Sequence, residues 1–167
     1  MEYIHCMTPE KDAKLCEKYP KIFRDRNSSP RTTCMSWGFE CGDGWYDIID
    51  ALCLNIQHEV DWLIQRQQYK LKNGELAPEE VVPEEDIQVV ATQVKEKFGG
   101  LRFYVSGVND KIQGMISMAE SMSYRTCETC GNPGKANKGG WIVTLCKPCR
   151  DAAERRRAEK LAPKEDK

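Results

Sequence analysis

An α+β fold, with a helical and β-hairpin domain carrying a small cysteine-hooked module at its C-terminal side, is predicted by three features of the sequence. Apolar residues at Trp45, Ile48, Ile49, Leu52, Ile56, Val60, Leu63 and Ile64 form one stripe of an amphipathic helix. Around Gly99-Gly100 the chain alternates apolar and polar residues, as a half-buried β-hairpin does. Finally, Cys127-Glu-Thr-Cys130 and Cys146-Lys-Pro-Cys149 face each other across fifteen residues. Each Cys-x-x-Cys turn presents two sulfurs to one ion, so this spacing predicts a tetrahedral four-thiolate Zn²⁺ site.

The expected organisation is an α+β domain over 1–123, a zinc ribbon over 124–150 and a charged helical tail over 151–167. Thr8-Pro9-Glu10 supplies a cap, a first-turn proline and an acidic first turn, so a short helix is expected to about Lys18. Lys21 to Arg31 is basic and turn-rich, with Arg24, Arg26 and Arg31 around Asn27-Ser-Ser-Pro30. It reads either as a solvated loop or as a phosphate-contacting one. Cys34 to Trp45 combines glycines with aromatics, which predicts a packed turn anchored by Trp37, Phe39 and Trp45. His5, Cys6, Cys34 and Cys41 lack regular ligand spacing, so buried thiols are expected there rather than a second metal site.

The main core helix is expected over about 45–69. Asp43, Asp47 and Asp50 at its start suit the positive end of the helix dipole, and His58 with Asp61 lacks the third partner a catalytic pair needs. Residues 73–86 are acidic and broken by proline, and read as an exposed linker or flexible loop. A hairpin over 87–106, turning at Gly99-Gly100, pairs Lys97 with Arg102 and Lys95 with Tyr104. One face then carries Val90, Thr92, Val94, Phe98, Leu101, Phe103 and Val105, and the other Gln93, Lys95, Lys97, Arg102, Tyr104 and Ser106. A helical reading of 87–98, opened by Glu84-Glu-Asp86, also fits the pattern. Asn109 or Asp110 caps a helix over 110–123 with Ile112, Met115, Ile116, Ala119 and Met122 inward. In the ribbon, Trp141 to Leu145 reads as a strand returning to the second hook.

Lys95, Lys97, Arg102 and Tyr104 on one face point to an anion site, with Arg24 and Arg26 as further candidates. Water, or the acidic loop, is the competing partner for these cations. The formal charge of −1 excludes indiscriminate coating of nucleic acid, so any anion binding has to be local. Cys127, Cys130, Cys146 and Cys149 are the expected ligands of a structural zinc, which has no open coordination position. The other five cysteines are an odd number, and with no leader or membrane-spanning run this points to a reducing cytoplasm.

Trp-Gly-Phe-Glu-Cys-Gly-Asp-Gly-Trp (37–45), Val-Lys-Glu-Lys-Phe-Gly-Gly-Leu-Arg-Phe-Tyr (94–104) and the two cysteine hooks with their flanking glycines (127–149) together resemble a family. It consists of small zinc-ribbon proteins encoded by bacteriophages and prophages, and the resemblance spans about 19–149. Some relatives in that family vary the last metal ligand, whereas Cys149 completes the set here. The resemblance carries no activity with it; it implies a phage accessory protein in the host bacterial cytoplasm. The expected function is non-enzymatic binding of an anionic small molecule, such as a nucleotide immune signal, or of nucleic acid. The alternative is a protein-interaction module that uses the ribbon, Trp37 and Trp141 to block a host protein. A nucleotide-acting enzyme ranks third, because two histidines leave few general bases.

Overall fold

The structure, a computed structural model, describes residues 6–161. Helix α1 spans Pro9–Lys18, and α2 spans Tyr46–Lys72. A short α3 (Glu84–Ile87) precedes the hairpin of β2 (Val90–Lys97) and β3 (Gly100–Ser106), and β1 (Phe39–Glu40) lies on its other side. Then come α4 (Asp110–Ser123), the ribbon strands β4 (Lys135–Ala136) and β5 (Thr144–Leu145), and α5 (Lys147–Leu161). The fold is α+β, with the cysteine module at its C-terminal side.

One hydrophobic core joins the helices to the main sheet. Its α2 stripe buries Ile48, Ile49, Leu52, Cys53, Ile56, Val60 and Ile64. Each fully buried aliphatic side chain of this kind contributes about 1.5–3 kcal/mol, so the stripe holds α2 in place irrespective of its polar outer face. Glu59 lies on the same stripe and is buried too; its charge is met by Lys111 of α4. The three aspartates near the start of α2 divide the work. Asp43 accepts from the Thr8 backbone (2.7 Å) and hydroxyl (3.1 Å), and Asp50 binds Lys18 (2.7 Å) and the Tyr19 hydroxyl (2.9 Å). Two of them therefore clasp α1 to the domain, and Asp47 is exposed.

The hairpin forms, and Val90–Lys97 is strand rather than helix. The acidic run at 84–86 does start a helix, but only for one turn. The turn itself differs from expectation: Lys97 pairs with Gly100 and Lys95 with Arg102, so the two turn residues are Phe98 (φ 55°) and Gly99 (φ 77°). Gly100 is held in the strand because the Tyr124 ring lies against it, 2.4 Å from where a Cβ would stand. A left-handed conformation costs a bulky residue about 1–2 kcal/mol, and Phe98 accepts it while remaining 66% exposed. Because the pairing slips by two, the cations keep their face. A bulge between Ala91 and Gln93 reverses the alternation beyond it, so Val89 and Ala91 enter the core alongside Val94, Leu101 and Phe103.

Sheet order is β1-β2-β3, with β1 parallel to β2 and β3 antiparallel. Along the free side of β3, the Leu101 N–H donates to Ser123 Oγ (2.8 Å) and the Phe103 N–H to Glu120 Oε1 (3.1 Å). Ser123 is buried for this purpose, whereas Met122, expected inward, is half exposed. Trp37 also departs from expectation: Phe39 and Trp45 are buried, but Trp37 stands 67% exposed. The acidic segment 73–86 is tied down rather than loose, since Gln67 of α2 bonds both backbone groups of Val82 at 2.8 and 2.9 Å.

Candidate metal centre and anion-binding face

The ribbon is built on short-range hydrogen bonds. The Cys127 N–H donates to Asn132 O (2.7 Å) and the Gly131 N–H to Cys127 O (2.9 Å), which folds the first hook into a knuckle with Gly131 at φ 77°. The β4–β5 pair, Lys135↔Leu145 and Ala136↔Thr144, returns the chain to Cys146. Only Thr144–Leu145 of the expected Trp141–Leu145 strand is extended and paired. The preceding residues form a loop in which Asn137 Nδ2 donates to the carbonyls of Gly139 (3.1 Å) and Trp141 (2.9 Å). The second hook is the first turn of α5, so helix and ligands are positioned together.

Ligand atoms of Cys127, Cys130, Cys146 and Cys149 lie within 4.8 Å of one another, and the Cys130 and Cys146 sulfurs are 3.6 Å apart. Sulfurs at the corners of a tetrahedron with bonds of 2.3 Å sit about 3.8 Å apart, so the four thiols fit one metal ion of zinc-like size. The backbone N–H of Asn132 holds the Cys130 thiol down at about 7, whereas burial together with the neighbouring thiols pushes Cys149 up. Among the described residues, Leu145, Val143 and Ala153 supply the apolar packing around the cluster.

This module is pressed onto the main domain through the glycine loop 41–45. Glu128, between the first two cysteines, accepts from the Gly42 N–H through its carboxylate (3.1 Å) and from the Gly44 N–H through its carbonyl (2.7 Å). Trp45 Nε1 donates to Thr126 O (2.9 Å), and Thr144 Oγ1 to Gly99 O at the hairpin turn (2.6 Å). Burial pushes the Glu128 carboxyl up to about 7, with Glu96 adding to the effect and the Gly42 amide opposing it. The cysteine spacing is plain in the sequence. The role of Glu128 is not, because nothing local marks that residue as a bridge between modules.

Lys95, Lys97, Arg102 and Tyr104 share one face of the hairpin, each cation beside a ring. Lys95 lies 5.8 Å from the Tyr104 ring centre, Lys97 5.5 Å from Phe98 and Arg102 5.8 Å from Tyr124. Arg102 is held in place: it donates to the Tyr124 hydroxyl (2.8 Å) and its own strand carbonyl at Leu101 (2.7 Å), with Glu120 at 4.0 Å. The Tyr124 hydrogen bond raises its already high pKa. Lys95 and Lys97 pair with no carboxylate among the described residues. Acidic neighbours on this face are Glu120 and Glu40, the latter opposite Lys95 in β1 and bonded by Gln93 (2.9 Å).

Arg26 is not part of that face. Its guanidinium forks onto Asp12 at 3.0 Å and donates to Ser36 O (3.0 Å), and it packs against Gly38 just before β1, on the other side of the sheet from β3. There it lines, with Asp12, Cys6, Cys16 and Trp37, an open cleft of about 550 Å³. Arg24 is exposed on the adjoining turn-rich segment. Of the thiols expected to be buried, Cys41 is, but Cys6 and Cys34 are exposed, and none of the three joins a metal-ligating group among the described residues; His5 lies outside those residues. Among the described residues no helix is long and apolar enough to cross a membrane.

No protein family, no curated protein and no solved structure matches the chain.

Proposed function

We propose that the chain is a non-enzymatic binding protein in which a structural zinc, held by Cys127, Cys130, Cys146 and Cys149, stiffens a scaffold whose hairpin captures an anionic ligand. The observation that carries this reading is the grouping of Lys95, Lys97 and Arg102 on one face with Tyr104 beside them. Lysines with no carboxylate partner among the described residues, and an arginine pre-positioned by Tyr124, suit a phosphate, which accepts several charge-assisted hydrogen bonds at once. The ligand is a nucleotide or a nucleic acid, and the setting is a phage accessory protein acting in the bacterial cytoplasm. Support for that setting comes from the resemblance of the 37–45, 94–104 and 127–149 stretches.

The test is a thermal-shift survey of nucleotides, with fluorescence anisotropy on DNA and RNA at two salt concentrations. Binding that weakens with salt, and weakens again in Lys95→Glu and Lys97→Glu, supports the reading. No shift with any nucleotide and no salt-sensitive nucleic-acid binding removes it. A protein-interaction role is the second reading, favoured by Trp37 and Trp141, which stand 67% and 72% exposed. Recovery of a stoichiometric bacterial protein on the wild type, lost in Trp37→Ala, would select it.

A further inference from the structure

The hairpin turn and the ribbon loop meet, and both carry an exposed aromatic residue there. Ile142 Cγ2 stands 2.9 Å from where a Cβ on Gly99 would be, and Thr144 bonds the Gly99 carbonyl. Phe98 precedes that contact in the turn at 66% exposure, and Trp141 precedes it in the ribbon loop at 72%. Phe98 holds a backbone conformation that asparagine or glycine adopts more easily, at a position where its ring buries little. Strained backbone of this kind clusters at ligand clamps and other functional sites. The rings of Tyr104 and Phe98 on the hairpin, and of Tyr124 at the end of α4, each stand beside a cation. Lys138 lies in the ribbon loop three residues before Trp141, and Arg125 follows Tyr124.

We infer that this junction is a single-stranded nucleic-acid site, with bases stacking on Phe98 and Trp141 while Lys95, Lys97 and Arg102 follow the phosphates. The inference rests on the anion reading above and narrows it. A compact nucleotide needs one phosphate pocket, whereas three cations spread over the two hairpin strands, with exposed rings at the turn and in the ribbon loop, suit an extended chain of bases and phosphates. Every base has a stacking face, so the site is sequence-tolerant. Glu40 and Glu120 border the cations and leave the face moderately rather than strongly positive, which fits a salt-sensitive site of modest affinity.

The experiment titrates a fluorescein-labelled oligothymidylate of about ten nucleotides into the zinc-loaded full chain at several salt concentrations. Three cations on a single strand predict a log–log salt slope of about −2, and Lys97→Ala reduces it by about 0.7. Phe98→Asn is the decisive variant, because it relieves the turn: its melting temperature holds or rises while affinity falls roughly tenfold. Trp141→Ala, at an exposed loop position, lowers affinity to a similar extent without loss of zinc. Unchanged oligonucleotide affinity in both aromatic variants overturns the inference. So does preference for a duplex, or for a mononucleotide, over the single strand; the anion reading survives those three results. Absence of salt-sensitive binding to any of these probes overturns both.

Discussion

Gly44 lies directly beneath Cys127: a Cβ on this glycine would stand 2.1 Å from the Cys127 carbonyl oxygen and 2.5 Å from the Gly131 amide nitrogen. The first metal knuckle is therefore moulded onto the Gly42–Trp45 loop by backbone contact, which no side-chain adjustment can relieve. Gly44→Ala forces one module off the other. Overpacking of this kind costs about 1–3 kcal/mol, and melting should fall by several degrees with faster zinc release to a chromogenic chelator. Gly114 is the internal control. It sits within α4 with open space around it, so Gly114→Ala raises stability by about 0.5–1 kcal/mol. Equal behaviour of the two variants would contradict the packing account.

Metal analysis of purified protein should find one zinc per chain. With Leu145, Val143 and Ala153 packed around the cluster, a bound ion would supply most of the ribbon's stability. Chelation is expected to expose the amides of 124–150 to hydrogen exchange first, while the centre of α2 stays protected. Simultaneous loss of protection in both would show that the main core also depends on the metal.

Cys53 gives stability an alkaline limit. Burial pushes its thiol well above the ordinary value, with Asp50 and Cys16 adding and Lys18 opposing. A raised folded-state pKa means a contribution fully present below the unfolded value and lost as pH rises. Above about pH 8.5 the unfolded chain releases this proton and the native one keeps it, so stability declines by up to about 1.4 kcal/mol per pH unit for this thiol. Urea melts of Cys53→Ala between about pH 9 and pH 10 should show a slope shallower by that amount. An unchanged slope would mean the buried thiol ionises in place.

Gln67 restrains the acidic segment by bonding both backbone groups of Val82. Gln67→Ala should leave global melting nearly unchanged and speed cleavage by a glutamate-specific protease between Glu75 and Glu85 several-fold. Cleavage at the wild-type rate would show that the segment is held by something other than this pair of bonds.

What the sequence reveals depends on how local each signal is. The α2 stripe, the Asn109 cap with α4 and the cysteine hooks are each written in one stretch of chain, and all three appear in the structure. The hairpin was legible to its face but not to its turn. Two adjacent glycines offered the cheapest turn, and what moved it was the Tyr124 ring against Gly100, a contact made twenty-four positions away in the chain. The bulge near Thr92 has no turn residue to announce it, so the inward roles of Val89 and Ala91 were invisible. At the candidate ligand face, alternation was enough to group Lys95, Lys97, Arg102 and Tyr104. Composition alone placed Arg26 with them, and its ion pair with Asp12 is a tertiary event that composition does not encode.

Helix α4 does more than fill space beside β3. By accepting the outward amides of Leu101 and Phe103 through Ser123 and Glu120, it seals that margin of the sheet, and the opposite margin is a strand of two residues whose Phe39 carbonyl already receives the Met7 amide. Neither border offers a ladder for a further strand to extend. Copies of this chain are thereby steered away from fibre-like stacking through the main sheet.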